Sequence, residues 1–175
     1  MKRLQGGGAL PPKPTMAQLL RGLVGSALGI LTICILGQST GEPWLMAPFG
    51  ATCVLLFAVP TSPLAQPRNV IGGHLLSATV GLIALYGFGD SIMVLALAVG
   101  IATMLMQYFR AVHPPAGANP LVIILAGQGA VGFDYLFTPV LLGSVTLVVI
   151  AALVNNYGAT GRWPVYWHGV GRHKE

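Results

Sequence analysis

Charge is the commodity this sequence lacks. Only 7% of its residues are Asp, Glu, Lys or Arg, against about 25% in an ordinary soluble domain. Acids are scarcest, four against nine basic residues, and 54% of the chain is apolar. Several stretches of about 19 residues read as membrane-spanning helices, which excludes a soluble fold. Cysteine is nearly absent: Cys34 and Cys53 lie inside apolar stretches without Cys-x-x-Cys spacing and read as small core residues. There is no phosphate-binding glycine loop, no His-Glu-x-x-His and no serine elbow. No catalytic set emerges, so an enzyme is not expected. His74 and His113 have no acid near them in sequence, so neither a metal nor a cofactor is expected.

What is there is organised by segment ends. The net charge of +5 would suggest nucleic acid in a soluble protein. Here the basic residues flank apolar segments and report topology, so the partner is the lipid bilayer and not nucleic acid. Residues 1–16 form a basic, Gly- and Pro-rich leader carrying Lys2, Arg3 and Lys13. Leu19–Gly37 is a first span, with Gly25 and Gly29 spaced for close helix approach. No cleavage site follows it, so it stays in the bilayer. Val70–Phe88, Ser91–Phe109 and Leu136–Val154 are the other long spans. Gly73, Ser77 and Gly81 form a second stripe of small residues. The tail, 158–175, carries Trp163, Tyr166 and Trp167 among basic residues and reads as interfacial.

Two segments break the pattern. Pro48–Val59 would rise only about 18 Å as a helix, well short of the roughly 30 Å hydrocarbon core. The second, His113-Pro114-Pro115-Ala116-Gly117-Ala118-Asn119-Pro120, holds three prolines, one histidine and no acid. Pro114 and Pro115 lack backbone donors and suit the first turn of a new helix. Pro48-Phe49-Gly50-Ala51-Thr52 aligns with Pro115-Ala116-Gly117-Ala118-Asn119, and each is followed by an apolar run. The domain 17–157 therefore reads as long–short–long twice, repeat 1 over 17–89 and repeat 2 over 91–157. If each short segment crosses with its first part extended, six crossings result and the repeats are inverted. Four spans with two re-entrant helices is the alternative. Six crossings place every basic residue on one side and Glu42, Asp90 and Asp134 on the other. That predicts a multi-pass cell (inner) membrane protein with cytoplasmic N- and C-termini.

Paired short segments interrupted by Gly and Pro at matching positions point to a transporter's binding site. Backbone N–H groups at the two helix starts, around Phe49, Gly50 and Ala51 and around Gly117 and Ala118, are candidate anion donors. Thr52 and Asn119 occupy equivalent positions, and each either caps its helix or points into the pathway. His113 heads the second short helix, as an interfacial anchor or as a pore residue. Arg68, with Asn69 behind it, is a snorkelling anchor or a charge at a pore mouth. His74 lies about 9 Å further along the helix than Arg68, within the bilayer, where ionisable residues mark function.

The His113-Pro114-Pro115 run, the stretch from Ser62 to His74 and the Pro48-Phe49-Gly50-Ala51 run together resemble the HPP family of membrane proteins. The resemblance covers roughly residues 17–157. It implies an integral membrane protein of bacteria or plastids, usually described with four spans, and some members are linked to nitrite transport. The expected function is a transporter or channel for a small inorganic anion, nitrite first, working as a homo-oligomer. The rival is a membrane-embedded regulatory or structural partner of another transporter.

Overall fold

The computed structural model describes residues 9–158 and 162–167, so the leader's Lys2 and Arg3 and the end of the tail lie outside the described residues. Everything regular among the described residues is helical. Helix α1 (Met16–Thr40) has 25 residues, about 38 Å at the α-helical rise. It starts at a capping box: Thr15 accepts from the Gln18 backbone while the Gln18 side chain accepts from the Thr15 backbone. Helix α2 (Pro48–Ala58) has 11 residues and α3 (Pro67–Phe88) has 22. Helix α4 (Ile92–Tyr108) has 17 residues, about 26 Å, so this expected long span falls short of the core on its own. Next come a 3-10 turn (Pro114–Ala118), α5 (Asn119–Ala126) and α6 (Ser144–Asn156).

The chain path follows from who touches whom. The Trp44 indole N–H donates to Thr40 Oγ1 at 2.9 Å, so the lead-in to α2 begins beside the far end of α1. Phe57 packs on Gly25, and Pro60 and Thr61 line a cavity with Thr15 and Arg21 at the start of α1. Residues 41–61 therefore run the whole length of the bundle, extended first and helical after. Residues 109–128 do the same along α3: Arg68 reaches the carbonyl of Phe109 at one end, and Gln128 reaches that of Leu85 at the other. Six passes result, each antiparallel to the one before it. Lys13, Arg21, Arg68, Arg110 and Arg162 gather at one end, while Glu42, Asp90 and Asp134 sit at the other.

The burial pattern is that of a protein dissolved in lipid. Leu19, Leu23 and Leu31 of α1 and Ile92, Met93 and Leu97 of α4 are exposed. Thr52, Gln66, His74, Ser77, His113 and Asn119 are wholly buried. Three helices are long and apolar enough to cross a membrane: Met16–Thr40, Pro67–Phe88 and Phe133–Asn156. The last is not regular: Phe137–Gly143 is a π-helical stretch around Pro139. Proline has no N–H to give and crowds the carbonyl four residues back, so the turn widens there.

Close approach at glycine sets the centre. A Cβ on Gly73 would lie 2.8 Å from both the Ala111 carbonyl oxygen and His113 Cβ. Only glycine lets residues 111–113 lie against α3 at this depth. Residues 162–167 fold back onto the bundle. Trp163 is buried and its indole donates to Pro60 O at 3.1 Å, while the Tyr166 hydroxyl contacts Pro63 O at 2.9 Å and Asn69 Oδ1 at 2.8 Å.

Candidate functional site: a threonine-bridged histidine pair

The two short segments meet at a chain of buried polar side chains. Thr52, one turn into α2, places Oγ1 2.9 Å from His74 Nε2 and 3.0 Å from His113 Nε2. The imidazoles lie edge to face with centroids 5.0 Å apart, and Phe49 closes on His74 at 5.3 Å. His113 Nδ1 is 2.8 Å from the Leu64 carbonyl. Asn119 Nδ2 reaches both His74 Nδ1, at 3.1 Å, and the His74 carbonyl, at 3.0 Å.

These partners fix the protons. Leu64 O can only accept, so His113 carries its hydrogen on Nδ1 and its Nε2 is an acceptor. The His74 carbonyl also only accepts, so the atom of Asn119 facing it is the amide nitrogen. That nitrogen then donates to His74 Nδ1 as well, which puts the His74 hydrogen on Nε2. The two neutral rings therefore have opposite tautomers, assigned from their bonding. His74 Nε2–H donates to Thr52, and the Thr52 hydroxyl donates to His113. One directed line runs Asn119, His74, Thr52, His113, Leu64. Both Asn119 hydrogens are used, and its Oδ1 has no partner.

Helix α3 is the rigid element that holds this line. Its N-terminal half binds successive carbonyls of the adjoining segment. Arg68 donates to Phe109 O at 2.8 Å and Arg110 O at 3.4 Å, Asn69 to Val112 O at 2.8 Å, and Ser77 to Ala116 O at 2.6 Å. Carbonyls of a regular neighbouring helix are largely engaged in its own ladder, so an irregular segment offers side chains more open acceptors. Residues 109–118 offer them because Pro114 and Pro115 have no N–H and His113 is extended, at φ -136° and ψ 100°.

The structure thus brings together Thr52, His74, His113 and Asn119, with Phe49 against them and Asn69 one layer away. Arg68 sits apart, at the bundle end, over the last carbonyls of α4, where a cation is favoured. Gly50, Ala51 and Pro114 are exposed, while Pro115 is buried and Gly117 and Ala118 are half-buried. Pro48, Ala51, Pro114, Pro115 and Ala118 line a lateral groove of about 560 Å³.

Several backbone donors at the helix starts are bonded within their own turns. Phe49 N–H bonds to Met46 O at 3.0 Å and Gly50 N–H to Ala47 O at 3.2 Å. Ala116 N–H bonds to His113 O at 2.9 Å, and Asn119 N–H to Ala116 O. Local turns already use the hydrogens that a regular helix start would leave free. Sequence reasoning also missed Gln66 and Ser77. Gln66 donates to Pro60 O at 2.9 Å and Ser62 O at 2.7 Å, fixing the loop that presents Leu64. Ser77 stands on the Gly73–Gly81 stripe three residues after His74, and its hydroxyl serves as a donor to Ala116 O rather than only as a small packing group. Among the described residues no three His, Cys, Asp or Glu side chains group as metal ligands.

Residues 11–164 match the transmembrane region of the HPP family. Two transmembrane proteins of Dictyostelium discoideum are 37% identical over 95% of this chain and 36% identical over 90%. The chain spans little more than half of their lengths, 56% and 58%. No solved structure matches. This chain belongs to the HPP transmembrane family.

Proposed function

We propose that the protein is a transporter or channel for a small inorganic anion, nitrite first, and not an enzyme. The observation that carries this reading is the meeting of two broken helices from corresponding halves of the chain at a buried, acid-free cluster of hydrogen-bonding side chains. Paired broken segments at mid-depth mark transporter sites, and a cluster without carboxylates lacks the ligands a cation would want. Nitrite rests on the family resemblance rather than on the site's geometry.

In this reading the bundle's six passes are six membrane crossings, and the two halves are inverted repeats. The end carrying Lys13, Arg21, Arg68, Arg110 and Arg162 is cytoplasmic, with both termini, by the positive-inside rule. That end also attracts anions electrostatically. Non-helical backbone is tolerated at membrane depth only against protein or water. The exposed Pro114 belongs to such a segment and borders an apolar groove, which supports a homo-oligomer in which this face borders the pathway.

Purified protein in liposomes loaded with an anion-sensitive reporter tests the proposal. Nitrite entry above that of protein-free vesicles is expected, reduced in His113→Ala. If nitrite, nitrate and formate all enter at the protein-free rate, transport is ruled out.

A further inference from the structure

We propose that His113, Thr52 and His74 form a binding site for a single coupling proton, so that the anion moves together with H⁺. The inference rests on the transport reading above, but its physical basis is separate: the cluster can accept one proton without moving a heavy atom.

In the neutral line the Thr52 hydroxyl hydrogen points at His113 Nε2. Thr52 Oγ1 has a second acceptor in reach, the Pro48 carbonyl at 3.2 Å. A proton arriving at His113 takes the Nε2 lone pair. The Thr52 hydroxyl then rotates to Pro48 O, and its two lone pairs accept from His113 Nε2–H and His74 Nε2–H, already 3.0 and 2.9 Å away. The balance is simple: one H⁺ enters, one N–H bond forms, no covalent bond breaks, and every hydrogen keeps a partner. His113 Nδ1–H stays on Leu64, and Asn119 stays on His74. A second proton has no such place. It would sit on His74 Nδ1 against the Asn119 N–H, whose orientation the His74 carbonyl holds at 3.0 Å. The site therefore takes one proton and not two.

The surroundings make that proton depend on an anion. Of the elements against the pair, α2 adds only Cys53, whose sulfur faces Gly29 of α1. Helix α3 adds Arg68, whose guanidinium lies over the ends of α4, and Tyr86, whose hydroxyl lies at the other end against Val131 O at 3.0 Å. Helix α4 adds the exposed Tyr108. The segment 109–113 adds Arg110, whose carbonyl Arg68 binds. The turns 63–65 and 114–118, and α5, add none. Among the described residues no carboxylate lies beside the pair to balance an imidazolium, and a buried unpaired charge is costly. An anion entering alone would meet only neutral dipoles. Each charge lowers the cost of the other, and that coupling is reciprocal. The consequence is electroneutral symport of one anion with one proton.

Two measurements test this. In liposomes, an imposed acid-outside gradient should speed nitrite entry by about 10-fold, within the usual range of coupling, unaffected by clamping the membrane potential. Nitrate serves as the strong-acid control for passive entry of the neutral acid. Thr52→Ser should keep the stimulation, and Thr52→Val should lose it. Stimulation that survives in Thr52→Val, or flux that follows the potential, overturns the proposal while leaving transport standing. Solid-state nitrogen NMR of labelled histidine, assigned with His74→Gln and His113→Gln, reads the site without transport. It should show the two opposite tautomers at alkaline pH and one added proton per pair on acidification. Two independent titrations, or none between about pH 8 and pH 5 with nitrite present, would sink the single-proton site even if the anion proves to be another.

Discussion

His74 and His113 stand edge to face, 5.0 Å apart, and share one hydroxyl. Each turns Nε2 toward Thr52, yet one donates and the other accepts, because their Nδ1 atoms face opposite kinds of partner, an Asn119 amide and a Leu64 carbonyl. Two like residues are thus made chemically unlike by their outer contacts.

Asn119 sets the tautomer of His74, so its loss should be visible on His74. Asn119→Leu keeps the branched four-atom shape but leaves His74 Nδ1 without a donor and removes the second donor to the His74 carbonyl. A buried acceptor stripped of its partner costs about 1–3 kcal/mol. Lower thermal stability in detergent is expected, together with nitrogen NMR resonances of both His74 tautomers where the native protein shows one. An unchanged single tautomer would mean that something other than Asn119 orients the ring.

Gly73 and Gly100 make a matched pair. A Cβ at Gly73 meets the Ala111 carbonyl and His113 at 2.8 Å, while one at Gly100 meets nothing within 4 Å. Gly73→Ala should destabilise by about 1–3 kcal/mol through overpacking and abolish transport by displacing His113. Gly100→Ala, inside α4, should be neutral or gain up to about 1 kcal/mol from helix propensity. Denaturation followed by tryptophan fluorescence distinguishes the two.

The groove beside the short helices gives an accessibility prediction. Ala51→Cys, made with Cys34 and Cys53 replaced by alanine, should react with a water-soluble thiol reagent, and nitrite should slow the reaction. Val149→Cys on the exposed face of α6 should not react, since lipid covers it. Equal inertness at both positions would place the groove in lipid and remove it from the pathway.

Arg68 serves α4 as much as any ligand. Its guanidinium spans the carbonyls of Phe109 and Arg110, at 2.8 and 3.4 Å, just where Arg110 adopts a left-handed φ of 54°. Lysine cannot span both carbonyls. Arg68→Lys should keep the charge yet lose about 1 kcal/mol of stability, the scale of one hydrogen bond. If the charge itself matters for entry, nitrite flux in Arg68→Lys should exceed that in Arg68→Gln at equal stability.

Much of this protein was legible in its residues taken in order. Scarce charge and long apolar runs determined a helical membrane protein, because a continuous apolar run of about 20 residues satisfies its own backbone hydrogen bonds in lipid only as a helix. Pro48, Pro114 and Pro115 determined where helices break, because a missing N–H acts locally. The distribution of Arg68, Arg110 and Glu42 along the chain already implied two ends of opposite charge. Local chemistry could not say which way a side chain turns once the helix is placed. The tertiary structure alone decided that Thr52 would stand between two histidines. It also decided that the donors of Phe49, Gly50 and Ala116 would be spent in their own turns, and that Ser77 and Gln66 would hold the breaks open. Those outcomes depend on distances between segments far apart in sequence, set by how closely Gly73 lets residues 111–113 approach α3.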